Sequence, residues 1–181
     1  MKALISILEK TSTKQGLLLL TVMYALVFGL IIRTITKLTD ITGGIGILDF
    51  DLGYTPSRVI EVFSSYGEAG MTLYSRIQLL DLINPALYSL LISSLVYLLV
   101  RHSKVIWLSI IPLLAGLLDY LENLTLYLLV QSFPDISESL ASFSSALSII
   151  KNIALFGTLT ALIAGGIVWI KKRSTASENG K

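Results

Sequence analysis

Cysteine is absent from this sequence of 181 residues. Disulfides, thiolate metal sites and a cysteine nucleophile are therefore excluded. Histidine occurs once, as His102 in the basic stretch RHSK. With no imidazole among its acids, the chain offers no histidine–carboxylate zinc site and no nucleophile–histidine pair. Charge is scarce too: Asp, Glu, Lys and Arg make up 14% of the residues, against about 25% in ordinary soluble domains. The net charge of +2 is too small to point to nucleic acid. The glycine-rich TGGIG, residues 42–46, lacks the lysine of a phosphate-binding loop. No metal or cofactor is indicated, and no catalytic residue is assigned.

Apolar residues, by contrast, make up 54% of the chain, and the mean hydropathy is +0.77. A bilayer core about 30 Å thick needs roughly 20 apolar helical residues to cross it. Four runs are long enough, at about residues 16–35, 73–100, 105–130 and 146–170. The expected fold is all-α: a polytopic four-transmembrane-helix bundle in one domain over residues 1–173. Residues 174–181, polar throughout, are expected to be a disordered cytoplasmic tail. The first run is too long for a signal-peptide core and no small-residue cleavage site follows it, so it is read as a retained helix. Ahead of it, Leu4, Ile5, Ile7 and Leu8 suit a segment lying on the membrane surface.

The one long polar segment, Lys37 to Gly70, contains a helix start. Thr55 offers a hydroxyl N-cap and Pro56 suits the first helical position. Val59, Ile60 and Phe63 recur at helical spacing, and Gly67 can end the helix. A short amphipathic helix in the first extracytoplasmic loop is expected. Pro85 should kink the second span. Asp49 and Asp51, in the sequence DFD, are read as turn or cap carboxylates.

Orientation follows from lysine and arginine placement. Lys2, Lys10, Lys14, Arg101, Lys104, Lys171, Lys172, Arg173 and Lys181 fall on one side, nine of the 14 cations. Both termini should be cytoplasmic, in a multi-pass protein of the cell membrane.

The apolar runs are interrupted by ionisable residues. Asp119, Glu122 and Asn123 are spaced i, i+3, i+4 and share one helical face. Asp81 and Asn84 sit three apart in the second span, with Tyr74 and Tyr88 seven residues either side of Asp81. The fourth span carries Lys151 and Asn152. At about 1.5 Å per residue, Glu122 and Asp81 each lie roughly 12 Å from the outer ends of their spans, and Lys151 roughly 8 Å. Isolated charges in lipid cost about 2.5 to 3.5 kcal/mol each at the bilayer centre. Matched depth and that penalty predict one cluster. Three acids would face one lysine, with Arg76 as a second cation if it reaches.

Two readings of the cluster stand side by side. In one, Asp81, Asn84, Tyr88, Asp119, Glu122, Asn123 and Lys151 bind a lipid or small amphiphile in a pocket between spans two, three and four. Pro85 would then break its helix as transporter helices are broken, and the protein would act as a binder, carrier or proton-coupled permease. In the other, the charges fix helix pairing, within the chain or with a membrane-protein partner or second copy, and Lys151 is a counter-ion. The layout of four spans, a long first loop and acids at Asp81 and Asp119/Glu122 resembles the EXPERA group, which includes sterol isomerases. The resemblance implies a sterol or lipid binder or an intramembrane enzyme. The isomerases pair their acids with an intramembrane histidine, which this chain lacks, so isomerisation is not carried over.

Overall fold

The structure is a computed structural model and describes residues 2–178. Six helices follow in order: α1 Lys2–Thr11, α2 Lys14–Ile41, α3 Pro56–Asp81, α4 Asn84–Val100, α5 Ile111–Ser132 and α6 Glu138–Glu178. Short 3-10 turns occupy Leu48–Phe50 and Ile106–Ile110. No strand occurs among the described residues. Four stretches are long and apolar enough to cross a membrane: Lys14–Ile41, Pro56–Val100, Ile106–Ser132 and Glu138–Lys172. Their outer faces are apolar as well. Leu26 is 64% exposed and Phe156 69%, a surface suited to lipid rather than water.

Local chemistry sets the helix ends. Thr13 Oγ1 accepts from Gly16 N–H at 3.1 Å and starts α2. Thr55 Oγ1 accepts from Arg58 N–H at 3.2 Å and starts α3, with Pro56 in the first turn. Gly67 leaves helical geometry at φ 55°. The stretch expected to form a short helix is helical up to this break, and it buries Val59, Val62, Phe63 and Tyr66. The second span breaks at Leu82 and Ile83, and Pro85 lies in the first turn of α4. There its missing N–H leaves no helical bond unmade.

Beyond Gly67, α3 and α4 run antiparallel to α2: Gly70 meets Leu38, while Leu87 and Leu91 pack with Leu20. Close packing of α5 on α4 depends on Gly116, where a Cβ would stand 2.7 Å from Ser89. The most extensive helix contact is that of α5 with α6. A second layer of aromatics caps the bundle, with Phe63, Tyr66 and Tyr74 in mutual contact.

At the opposite end α1 docks on α4. Thr11 and Ser94 share a hydroxyl hydrogen bond of 2.7 Å, and Ser12 donates to the Ser94 carbonyl at 3.1 Å. Leu8 is buried beneath them. Lys172 on α6 donates to the His102 carbonyl at this same end. α6 stays helical to Glu178, through the start of the segment expected to be a disordered tail; residues 179–181 lie outside the described residues.

Candidate functional site

Lys151 projects from α6 between two carboxylates of α5. Its Nζ pairs most closely with Glu122 Oε2 and lies 3.8 Å from Asp119 Oδ1. Glu122 is completely buried, and its Oε1 finds no donor. Asp119 Oδ2 accepts from the Tyr88 hydroxyl of α4 at 3.0 Å. Asp81 closes α3 and accepts from Asn84 Nδ2 at 2.9 Å. The α3–α4 break thus places acid and amide on two successive helices, held by one hydrogen bond.

All of these groups except Glu122 line a cavity of about 410 Å³. Its polar floor carries Asp49, Asp81, Asn84, Tyr88, Asp119, Lys151 and Asn152. Its walls are apolar, with Phe28, Ile32 and Ile35 on α2 and Leu155 on α6. α2 packs on α3 and α4, and α6 on α5 and α4. The cavity lies in the seam between α2 and α6, where Phe28 and Ile32 are exposed.

Of the residues singled out from sequence, Asp81, Asn84, Tyr88, Asp119 and Lys151 share this cavity. Glu122 stands behind it, joined through Lys151. Asn123 does not line the cavity but reaches Asp81. Its Nδ2 donates weakly to the Asp81 carbonyl at 3.5 Å, and it lines a separate groove with Gln78, Leu79, Leu82 and Tyr127. Tyr74 is two turns from Asp81 along α3, inside the aromatic layer and not at the cavity. Arg76 is exposed, so Lys151 is the cation within the cluster.

Asp49 is the residue that sequence reasoning missed. The first loop folds back into the bundle along α6. Tyr54 N–H donates to Ser145 Oγ at 2.8 Å, the Tyr54 hydroxyl meets Ser144 Oγ at 2.7 Å, and Ser148 donates to the Asp51 carbonyl at 3.3 Å. Gly53 permits this approach, with φ 98° and an imagined Cβ only 3.0 Å from Ile149 Cδ1. Asp51 then turns outward to Arg58 at 3.2 Å, while Asp49 turns in. Its carboxyl remains partly accessible along the cavity, yet its Oδ2 is shut away without a donor. Burial pushes this carboxyl up to about 7; Lys151 pulls it down, while Glu122, Asp81 and Asp119 push it up further. The available signal was the setting of the acid, between Leu48 and Phe50.

Fold and site together define a helical bundle of membrane-spanning character with a buried centre of four acids around one lysine. No family model, curated protein or solved structure matches the chain. The likeness in layout to the EXPERA group therefore stands on span order and acids alone.

Proposed function

We propose that the chain is a multi-pass protein of the cell membrane that binds or moves a lipid or other small amphiphile at the acid–lysine cluster. Both termini face the cytoplasm in this reading, and the cavity opens toward the outer leaflet. The observation that carries it is the cavity of about 410 Å³, polar at its floor and apolar at its walls, in the seam between α2 and α6. A molecule entering from lipid keeps its chain among Phe28, Ile32, Ile35 and Leu155 while its head reaches the charges. Intramembrane ionisable groups mark such sites more often than chance packing does.

The competing reading is a structural or accessory subunit, and the pairing of Lys151 with the completely buried Glu122 favours it. Native mass spectrometry separates the two. Wild type is compared with Asp81→Asn, Glu122→Gln and Leu155→Trp, the last of which fills the mouth without changing charge. A co-purifying amphiphile lost from Leu155→Trp and weakened in Asp81→Asn supports the binding reading. If wild type carries no ligand and the charge variants only lose thermal stability, the charges are structural.

A further inference from the structure

The hydrogen-bond inventory of the cavity is lopsided. On its floor each donor group already has an acceptor or counter-ion: Lys151 has Glu122 and Asp119, Tyr88 donates to Asp119, Asn84 Nδ2 to Asp81, and Asn152 Nδ2 to the Ser148 carbonyl. Acceptors remain. Asp49 Oδ2 and Asn84 Oδ1 are both enclosed and without a donor. Buried polar atoms are almost always satisfied in folded proteins, so two orphans beside one cavity call for a partner that donates.

The charge inventory leans the same way. Lys151 is occupied by the two acids of α5, and Arg58 by Asp51 and Glu61 on the outer surface. Asp49 and Asp81 line the cavity, and among the described residues neither forms a salt bridge. Among the described residues no close group of three acids or histidines is arranged to hold a metal ion. An anionic head would meet three acids, Asp49, Asp81 and Asp119, and a lysine already paired. An uncharged hydroxyl would bring no counter-charge to Asp81, nor to Asp49 once it loses its proton. A quaternary ammonium brings charge but no N–H for the orphan oxygens.

We propose that the occupant of this cavity is an amphiphile whose head is a protonated primary amine, held by Asp49, Asp81 and Asn84 Oδ1. The ammonium supplies three donors and one positive charge, which is what the floor lacks. The chain lies along the apolar wall of α2 and leaves through the seam. Asp49 makes the loop between α2 and α3 part of the site, although that loop lies outside the spans in sequence. This assignment rests on the amphiphile reading above and can fail without it.

The test uses the full chain in phosphatidylcholine nanodiscs, with empty nanodiscs as the blank for partitioning. Four probes share one alkyl chain and carry an amine, a trimethylammonium, an alcohol or a sulfate head. Binding is read by native mass spectrometry and by thermal shift. The amine should bind about tenfold or more tightly than each of the others, as expected for charge-assisted hydrogen bonds. Asp49→Asn and Asn84→Leu should each remove most of that preference. Asn84→Leu carries the test alone if Asp49→Asn does not fold. Equal or tighter binding of the alcohol, trimethylammonium or sulfate probe overturns the amine assignment and leaves the amphiphile reading standing. A preference that persists in both variants overturns the placement at Asp49 and Asn84. If wild type binds none of the four, the amphiphile reading falls with it.

Discussion

Asp49 shows how little a residue's sequence neighbourhood fixes its chemistry. Its carboxyl is pushed from the ordinary 3.8 up to about 7. Between those values the folded chain holds a proton that the unfolded chain has released, so stability falls as pH rises through that window and levels off above it. The groups facing Asp49 are Lys151 on α6, Asp119 and Glu122 on α5, and Asp81 on α3. Asp49→Asn is neutral at every pH. Thermal unfolding in detergent should therefore decline less steeply with pH in the variant, and above about pH 8 the variant should outlast wild type. Parallel declines in the two proteins would remove Asp49 as their source. Lys151 has a sharper role. Replacing it with Met strands Glu122, which is completely buried, and Asp119 beside it. Breaking a buried pair in this way costs about 3 to 5 kcal/mol. The double variant Lys151→Met/Glu122→Gln should recover much of that loss in an unfolding titration; no recovery would mean that the two side chains are not coupled. Asp81, Asn84, Tyr88, Asp119, Glu122 and Lys151 were legible because polar groups inside apolar runs must converge. Asp49 was not, because an acid in a polar loop is ordinarily solvated, and only docking of that loop on Ser145 and Ser148 buries it.

At the scale of elements, hydrophobicity located the spans but not their ends. The first run turns polar at Arg33, yet α2 continues to Ile41. A helix ends where its backbone bonding is interrupted, here at Thr42 and the two glycines after it, not where its side chains stop being apolar. Thr55 and Pro56 were readable as a start because capping is a local interaction. The path of the first loop is not local: it depends on Gly53 fitting against Ile149 of α6. A side chain at φ 98° is strained and would also press on Ile149. Gly53→Ala should lift the loop and expose its buried turn. The absence of native cysteine gives a clean assay. A thiol introduced at Leu48, which is fully buried, should resist a water-soluble maleimide in the parent and react several-fold faster with Gly53→Ala. One at Leu52, 75% exposed, should react alike in both. A Leu48 thiol protected equally in both backgrounds would show that Gly53 does not hold the loop.

At the scale of the whole molecule, the arrangement that matters is how unevenly the helices pack on one another. Four apolar runs dictate a bundle, because each helix must satisfy its own backbone in lipid and bury its polar face against the others. They do not dictate the order around the bundle. α4 touches α2, α5 and α6, whereas α2 and α6 leave a seam between them. Seam and charges coincide because the loop carrying Asp49 docks along α6, and Asp49 and the α6 lysine border the same space. If the seam is the path by which a ligand enters from lipid, closing it should stop exchange without unfolding the bundle. Thiols at Phe28 on α2 and Leu155 on α6, both lining the cavity, can be bridged by a short bifunctional reagent against a cysteine-free background. The bridged protein should keep or raise its thermal stability, since a covalent link restrains the unfolded chain. Its exchange of a fluorescent amphiphile with surrounding vesicles should slow by at least about tenfold, as expected when a ligand's way in and out is closed. Cleaving the bridge should restore the original rate. Unchanged exchange in the bridged form would place the entrance elsewhere, with the groove beside Asn123 and Gln78 as the remaining opening of similar size.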